Sequence, residues 1–227
     1  MTSIQYAQLI FLTVLTLVGA VRSRSSAGTL NQVGLYFARD AHEFKQTLQG
    51  LEPKLIASLY WDGLFLTGYC LLFLSIGAFQ LHQGGWGFIT MLFGVGAAIL
   101  DQFENRALIQ LSAQNTTQTG IDGRLLRQMQ TLCVTKFLCS SVATASSALF
   151  FAGQDGWKLA LMLVLIVGAA GLMAGCLTFV IGRILHADWN NVSGRVVQLG
   201  LKIASLGLAA SGLEYVREWI NPASRPF

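Results

Sequence analysis

The sequence predicts an all-α protein of the multi-pass membrane class, built as a polytopic helical bundle. Among its 227 residues, 53% are hydrophobic and 11% are charged, whereas soluble domains carry about 25% charged residues. The mean hydropathy is +0.56. Glycine is abundant and proline is scarce, with 24 and 3 residues. This composition is typical of closely packed apolar helices, so we expect one integral-membrane domain over residues 1–227.

Six segments are long or apolar enough to cross a bilayer, whose hydrocarbon core needs about 20 helical residues. The first begins without a positive charge and is followed by Arg22 and Arg24, which is the reverse of the charge order in a signal peptide. The sixth is interrupted by Lys202, and a helix lying flat on the membrane is the alternative there. The predicted spans are residues 3–21, 60–81, 86–106, 132–152, 158–183 and 196–216.

The basic residues predict the orientation, because Lys and Arg accumulate on the inner side of a membrane. An outer N-terminus leaves Lys158, Arg217 and Arg225 on the outer side and Lys136 and Lys202 within spans. We therefore expect both termini outside, in a bacterial inner membrane or a comparable one. The remaining basic residues then lie on the inner side: Arg22, Arg24, Arg39, Lys45, Lys54, Arg106, Arg124, Arg127, Arg183 and Arg195.

The segment between spans one and two is predicted to contain an amphipathic helix over about 33–51. Apolar residues recur there at steps of four and three, while charged residues occupy other faces, which is the helical pattern. Pro53 ends this helix and begins the next one. We expect the helix to lie on the inner membrane surface as an anchor, with a gate or a partner-docking element as the alternative.

Polar residues within three predicted spans fall at one depth. Helix from Trp86 to Leu100 covers about 22 Å of the ~30 Å hydrocarbon core, so the span must continue into the inner leaflet. A helix places residues three and four apart on one face. The residues predicted to meet near the inner leaflet are Asp101, Glu104 and Asn105 of span three, Lys136 of span four, and Asp62 of span two, with Tyr69 two turns deeper.

The charges in this predicted cluster do not balance. Asp62, Asp101 and Glu104 outnumber Lys136, and uncompensated charge inside a membrane is costly. We expect one carboxylate to hold a proton, or a further cation such as Arg183, a ligand amine or an ion to complete the cluster. The alternative is structural, because polar side chains between helices can also fix their packing.

Several chemistries find no support in the sequence. The basic residues form no stripe with interleaved aromatic residues, which argues against a nucleic-acid partner. The cysteines form no Cys-x-x-Cys arrangement, and the three histidines are scattered over both sides, unlike haem ligands. We expect no metal and no cofactor. The residues concerned are Cys70, Cys133, Cys139 and Cys176, and His42, His82 and His186.

A pattern over residues 42–152 resembles a group of uncharacterised bacterial multi-pass membrane proteins. Asp62-x-x-Phe65-x-x-x-Tyr69 opens one span, Asp101-x-x-Glu104-Asn105 closes the next, and Lys136-Phe137 opens a third. The resemblance implies that these polar residues belong together. It carries no activity with it.

Three functions follow as expectations. The first is a polar pocket that binds a small cationic or lipid-derived ligand or relays protons. The second is a non-catalytic accessory or assembly subunit of a membrane complex. The third, which we favour less, is a membrane-embedded acid–base enzyme, so no residue is assigned a catalytic role. Expected partners are the bilayer, a lipid or small-molecule ligand, and another copy of the chain or another membrane subunit.

Overall fold

The computed structural model describes residues 3–28, 30, 32–81, 85–116, 120–151, 156–185 and 190–220. Within these ranges the chain forms eight α-helices and no strand. The all-α prediction is confirmed. The helices are α1 (Ser3–Ala27), α2 (Gln32–Tyr36), α3 (Ala41–Leu48), α4 (Glu52–Leu81), α5 (Trp86–Thr116), α6 (Gly123–Ala148, followed by the 3₁₀ turn Leu149–Phe151), α7 (Trp157–Ile184) and α8 (Asn190–Ile220).

Four of these helices are long and apolar enough to cross a membrane, which indicates a membrane protein. They carry the segments Ile10–Ala27, Glu52–Leu81, Trp86–Asn115 and Trp157–Ile184. Predicted span four lies within α6 and its 3₁₀ turn, except for residue 152, which is outside the described residues. Predicted span six lies within α8. Neither helix reaches the same length and apolarity in the described residues. The count of six spans therefore stays a prediction.

The six long helices form a closed ring in chain order. Helix α4 packs between α1 and α5, α6 packs between α5 and α7, and α8 lies against α7. A less extensive contact between α8 and α1 completes the ring. Short chain connections join α4 to α5, α5 to α6, α6 to α7 and α7 to α8, so these neighbours run antiparallel. Helices α1 and α4 are joined by the longer connector and also run antiparallel, since Gly19 lies at Phe65 and Gly68 at Thr16.

Glycines allow several of these helix pairs to approach closely, the α7–α8 and α1–α4 pairs among them. A methyl group added at Gly171 would lie 2.8 Å from the Cα of Gly200, and one at Gly168 would lie 2.6 Å from the backbone nitrogen of Ala204. Similarly, one at Gly19 of α1 would lie 2.6 Å from the Cα of Phe65 on α4. Small residues at such contacts are the usual means by which apolar helices associate in membranes.

The connector, residues 28–51, departs from the prediction of one amphipathic helix over 33–51 on the membrane surface. It contains two short helices, α2 and α3, with a break at residues 37–40. Leu35, Phe44 and Leu48 are completely buried against the start of α4, the end of α5 and the start of α6. The single predicted helix is therefore wrong, because an apolar helix face fits a protein groove as well as it fits lipid, and each buried side chain here contributes about 1.5–3 kcal/mol. The position of the connector on the membrane surface stays a prediction.

Asp40 explains the break in the connector. Its carboxylate accepts hydrogen bonds from the backbone N–H groups of His42 and Glu43, both at 2.9 Å, and so caps α3. Glu43 in turn accepts from the backbone N–H of Arg39 at 2.6 Å, a reciprocal arrangement close to a capping box. The backbone N–H of Glu43 also holds the pKa of Asp40 below its usual value.

Candidate functional site

Lys136 of α6 forms the centre of a buried ionic cluster. Its Nζ lies 2.9 Å from Asp101 Oδ1 and 2.7 Å from Glu104 Oε2, both on α5. Asp101 and Glu104 are three residues apart, so one helix face presents both carboxylates to a single ammonium group. Asp101, Glu104 and Lys136 are all buried, which makes every charge in the cluster depend on its partners.

Helix α4 contributes the second half of the cluster. Tyr69 donates its hydroxyl hydrogen to Asp101 Oδ2 at 3.3 Å, and Asn105 Nδ2 donates to Asp62 Oδ2 at 2.9 Å. The six residues singled out in the sequence therefore do come together, across three helices. Their pairing is specific: both oxygens of Asp101 are occupied, by Lys136 and Tyr69, whereas Asp62 accepts a neutral amide.

Glu104 is the most enclosed member of the cluster. Its side chain has 0% exposure, and Oε1 has no hydrogen-bond partner among the described residues. Oε2 forms an ion pair with the Lys136 ammonium at 2.7 Å. The cluster thus contains three carboxylates and one lysine, and the lysine contacts two of them, Asp101 and Glu104.

Arg183 does not supply the missing positive charge. Its Nη2 donates to Gln130 Oε1 at 2.6 Å and to the carbonyl oxygen of Ala38 at 3.4 Å, and its guanidinium lies 5.3 Å from the centre of the Phe179 ring. Gln130 Nε2 donates to the same Ala38 carbonyl at 2.6 Å. Arg183 therefore holds the connector in place rather than neutralising the acids.

Tyr36 of α2 is a member of the site that the sequence analysis missed. The Lys136 ammonium lies 5.1 Å from the centre of the Tyr36 ring and 4.9 Å from that of Phe137, within the range of cation–π attraction. Burial raises the pKa of Tyr36 well above its usual value, so its phenol stays neutral. No periodic signal could have revealed it, because its position depends on how the connector folds against the bundle.

A cavity of about 230 Å³ lies at the centre of the ring, beside the cluster. Asp62, Asp101, Lys136 and Tyr36 form one polar end of its wall. The rest of the wall is mostly apolar or carries single hydroxyl groups, and with Asp101 of α5 every long helix contributes to the cavity. These other wall residues are Thr13, Thr16, Leu17 and Ala20 of α1, Phe65, Tyr69, Leu72 and Phe73 of α4, Phe137, Ser140 and Thr144 of α6, Leu172 of α7, and Leu201, Ala204, Ser205 and Leu208 of α8.

The predicted site residues divide into two groups by their relation to this cavity. Asp62, Tyr69, Asp101 and Lys136 line it, whereas Glu104 and Asn105 support the lining residues from behind. The site can therefore offer a carboxylate, an ammonium and two phenol groups to a bound molecule, next to an apolar chamber. Such a combination of an apolar pocket with a few convergent polar groups is typical of small-molecule sites.

Within the described ranges, His, Cys, Asp and Glu side chains form no group of three or more that could hold a metal ion. No family model, curated protein or solved structure matches the chain. The resemblance to bacterial multi-pass membrane proteins thus stays a prediction from the residues alone.

Proposed function

We propose that the protein binds an amphipathic small molecule in its central cavity, with a cationic group of the ligand at Asp62 and an apolar portion along the cavity wall. One observation carries the proposal: at the polar end of an otherwise mostly apolar cavity, Lys136 contacts Asp101 and Glu104, whereas Asp62 has no salt-bridge partner among the described residues. A cationic ligand would supply the charge that the cluster lacks.

Asp62 is the best partner for that charge. It lines the cavity, it is only half-buried, and its hydrogen bond comes from the neutral amide of Asn105. Asp101 is occupied by Lys136 and Tyr69, and Glu104 lies outside the cavity wall. A ligand ammonium at Asp62 would gain a charge-assisted hydrogen bond in a site that excludes most water.

The membrane arrangement that accompanies this function has six spans with both termini outside, in a bacterial inner membrane. The close packing of α8 along α7 through Gly171 and Gly200 supports α8 as a sixth span. The polar side chains of α6 that lower its apolarity, such as Gln130 and Lys136, are buried within the protein, so they impose no cost of contact with lipid.

Binding of alkyl probes tests this proposal. The octylammonium ion, octanol and octanoate share one apolar chain and differ in the charge of the head group. Isothermal titration of the purified protein should show octylammonium binding at least ten-fold more tightly than the other two, and Asp62→Asn should remove that preference. Equal affinity for the three probes, or an Asp62→Asn variant with unchanged preference, would refute the proposal.

Asp122→Asn is the matched control for the loss of one carboxylate. Asp122 caps α6 by accepting a hydrogen bond from the Arg124 N–H at 2.8 Å, and asparagine caps helices equally well. It lies outside the cavity wall. We expect this variant to keep the affinity and the head-group preference of the parent protein.

A structural role for the cluster is the second candidate, because Lys136 already contacts two carboxylates and two aromatic rings. In that case the protein would be a non-catalytic subunit held together by the cluster. Native mass spectrometry separates the two functions, since it would report a retained small molecule in one case and a partner subunit in the other.

A further inference from the structure

The central cavity has exposed wall residues on two helices, α1 and α8. Leu17 of α1 is 44% exposed, and Ser205 of α8 is also exposed. The remaining described residues of the wall are buried or half-buried. Leu17 and Ser205 lie on α1 and α8, and the contact between these two helices is the least extensive one in the ring. The exposed part of the cavity wall therefore belongs to the two helices that form the seam between α1 and α8.

The inner end of the cavity is covered by the connector. Tyr36 forms part of the wall, and Leu35 and Ala38 beside it are completely buried. The Ala38 carbonyl is tied to α6 through Gln130 and to α7 through Arg183. Entry from the inner aqueous side would require all of these contacts to break.

The outer end and the neighbouring helix pairs are also filled. Leu12, Leu72 and Ile76 form a buried apolar cluster at the outer end of the cavity, where Leu72 belongs to the wall. The α1–α4 and α7–α8 pairs are packed through glycines so closely that a methyl group would overlap backbone atoms. The α1–α8 seam is thus the least obstructed route between the described parts of the bundle.

We propose that this seam is a lateral entrance through which a single-chain alkylammonium amphiphile passes from the lipid bilayer into the cavity. The inference rests on the proposed function and adds to it both the source of the ligand and its class. Leu17 precedes Arg22, at the inner end of the predicted span, by five residues, or ~7.5 Å of helix. An amphiphile anchored at the inner interface therefore reaches the seam without carrying its charge across the hydrocarbon core.

Thr13 supplies an independent indication that a ligand lies behind the seam. It lines the cavity one turn from Leu17, it is only 8% exposed, and its hydroxyl has no hydrogen-bond partner among the described residues. The nearby Thr16 instead donates to the carbonyl oxygen of Leu12 at 2.7 Å. Buried hydroxyl groups are normally satisfied, so Thr13 is available to a polar atom of a molecule in the cavity.

The exchange rate of a bound probe tests lateral entry. The probe is 8,8,8-trifluorooctylammonium, and its exchange between bilayer and protein is measured by fluorine exchange NMR in lipid nanodiscs. Leu17→Trp and Ser205→Trp should each slow exchange at least five-fold, because a larger side chain obstructs the seam. Val14→Trp and Leu206→Trp are matched controls on the same two helices, since Val14 and Leu206 are 53% and 68% exposed but lie outside the cavity wall.

Slower exchange in both seam variants with parental exchange in both controls supports lateral entry. Unchanged or faster exchange in the seam variants, or equal slowing in the controls, overturns it. If the tryptophan variants do not fold, Leu17→Phe and Ser205→Leu give the same test with smaller side chains. The experiment distinguishes failure of the proposed function from failure of lateral entry. If the proposed function is wrong, the parent protein itself shows no binding that depends on Asp62.

Discussion

At the scale of single residues, Lys136 controls the charge of the whole site. Its ammonium contacts Asp101 and Glu104 and faces the rings of Tyr36 and Phe137. Removing one member of a buried ionic cluster costs more than the cluster itself contributes, because the remaining charges lose their compensation. The two carboxylates differ in the hydrogen bonds that they keep when the lysine is absent.

We predict that Lys136→Met lowers the free energy of unfolding by about 3–5 kcal/mol. A second change, Glu104→Gln, should restore more of this loss than Asp101→Asn, because Asp101 keeps its hydrogen bond from Tyr69 whereas Glu104 has no other partner among the described residues. Denaturant unfolding in detergent micelles gives the free energy of unfolding of Lys136→Met and of the two double variants that add Glu104→Gln or Asp101→Asn.

Lys202→Met is the control for the loss of a lysine. Lys202 is exposed on α8, so its replacement by an apolar residue should lower the free energy of unfolding by no more than about 0.5 kcal/mol. Equal rescue of Lys136→Met by the two carboxylate substitutions would contradict the different roles given to Asp101 and Glu104.

At the scale of helices, the contact between α7 and α8 depends on the absence of side chains. A methyl group at Gly200 would lie 2.5 Å from the backbone nitrogen of Leu172 and 2.7 Å from the carbonyl carbon of Gly171. Neither of these atoms can move without shifting a helix. The contact also positions Leu172 and Ala204 in the cavity wall.

Gly200→Ala should therefore destabilise the protein by about 1–3 kcal/mol, the usual cost of overpacking. Gly96→Ala on α5 is the matched control, because a methyl group there meets nothing within 4 Å. Its effect should stay within about 1 kcal/mol of the parent protein. Thermal unfolding of both variants in one detergent gives the comparison, and similar melting temperatures would show that α7 and α8 do not pack as described.

The connector gives a prediction about local stability. Gln130 donates to the Ala38 carbonyl and accepts from Arg183, so Gln130→Leu removes both bonds and, within the described residues, leaves these two groups only their mutual hydrogen bond of 3.4 Å. Hydrogen–deuterium exchange of residues 32–48 should then become at least ten-fold faster, while exchange in α7 stays unchanged. Gln110→Leu, at an exposed position on α5, should leave both segments unchanged, and slow exchange in Gln130→Leu would mean that burial of Leu35 and Phe44 alone holds the connector.

Much of this arrangement follows from the sequence, and the remainder depends on contacts that no single segment encodes. Counting residues along the spans brought Asp62, Asp101 and Lys136 to one depth because helical rise is constant. Residue counting does not determine the rotation of each helix about its axis. The hydrogen bonds from Asn105 to Asp62 and from Tyr69 to Asp101 are therefore known only from the structure. The position of Tyr36 required the fold of the connector.

At the scale of the whole molecule, the proposed orientation predicts which connections share a side of the membrane. Single cysteines at Gln49 and Gln118 should react with an impermeant maleimide only after the membrane is opened, whereas cysteines at Gln83 and Gln154 should react in intact cells. The half-buried Cys70 and Cys139 are replaced by serine beforehand. If the cysteines that replace Gln118 and Gln154 react from the same side of the membrane, six spans in the proposed order are excluded.

The ring has a consequence for the way the protein assembles during synthesis. Each long helix packs against the one made before it, so successive hairpins can form as they emerge. The contact between α1 and α8 is the exception, because it joins the first helix of the chain to the last. The ion pairs of Lys136 can form once α6 is complete, but the chamber beside them has no final wall until α8 is inserted. A nascent chain that stops before residue 190 would therefore hold its charges together and have no enclosed space for a ligand.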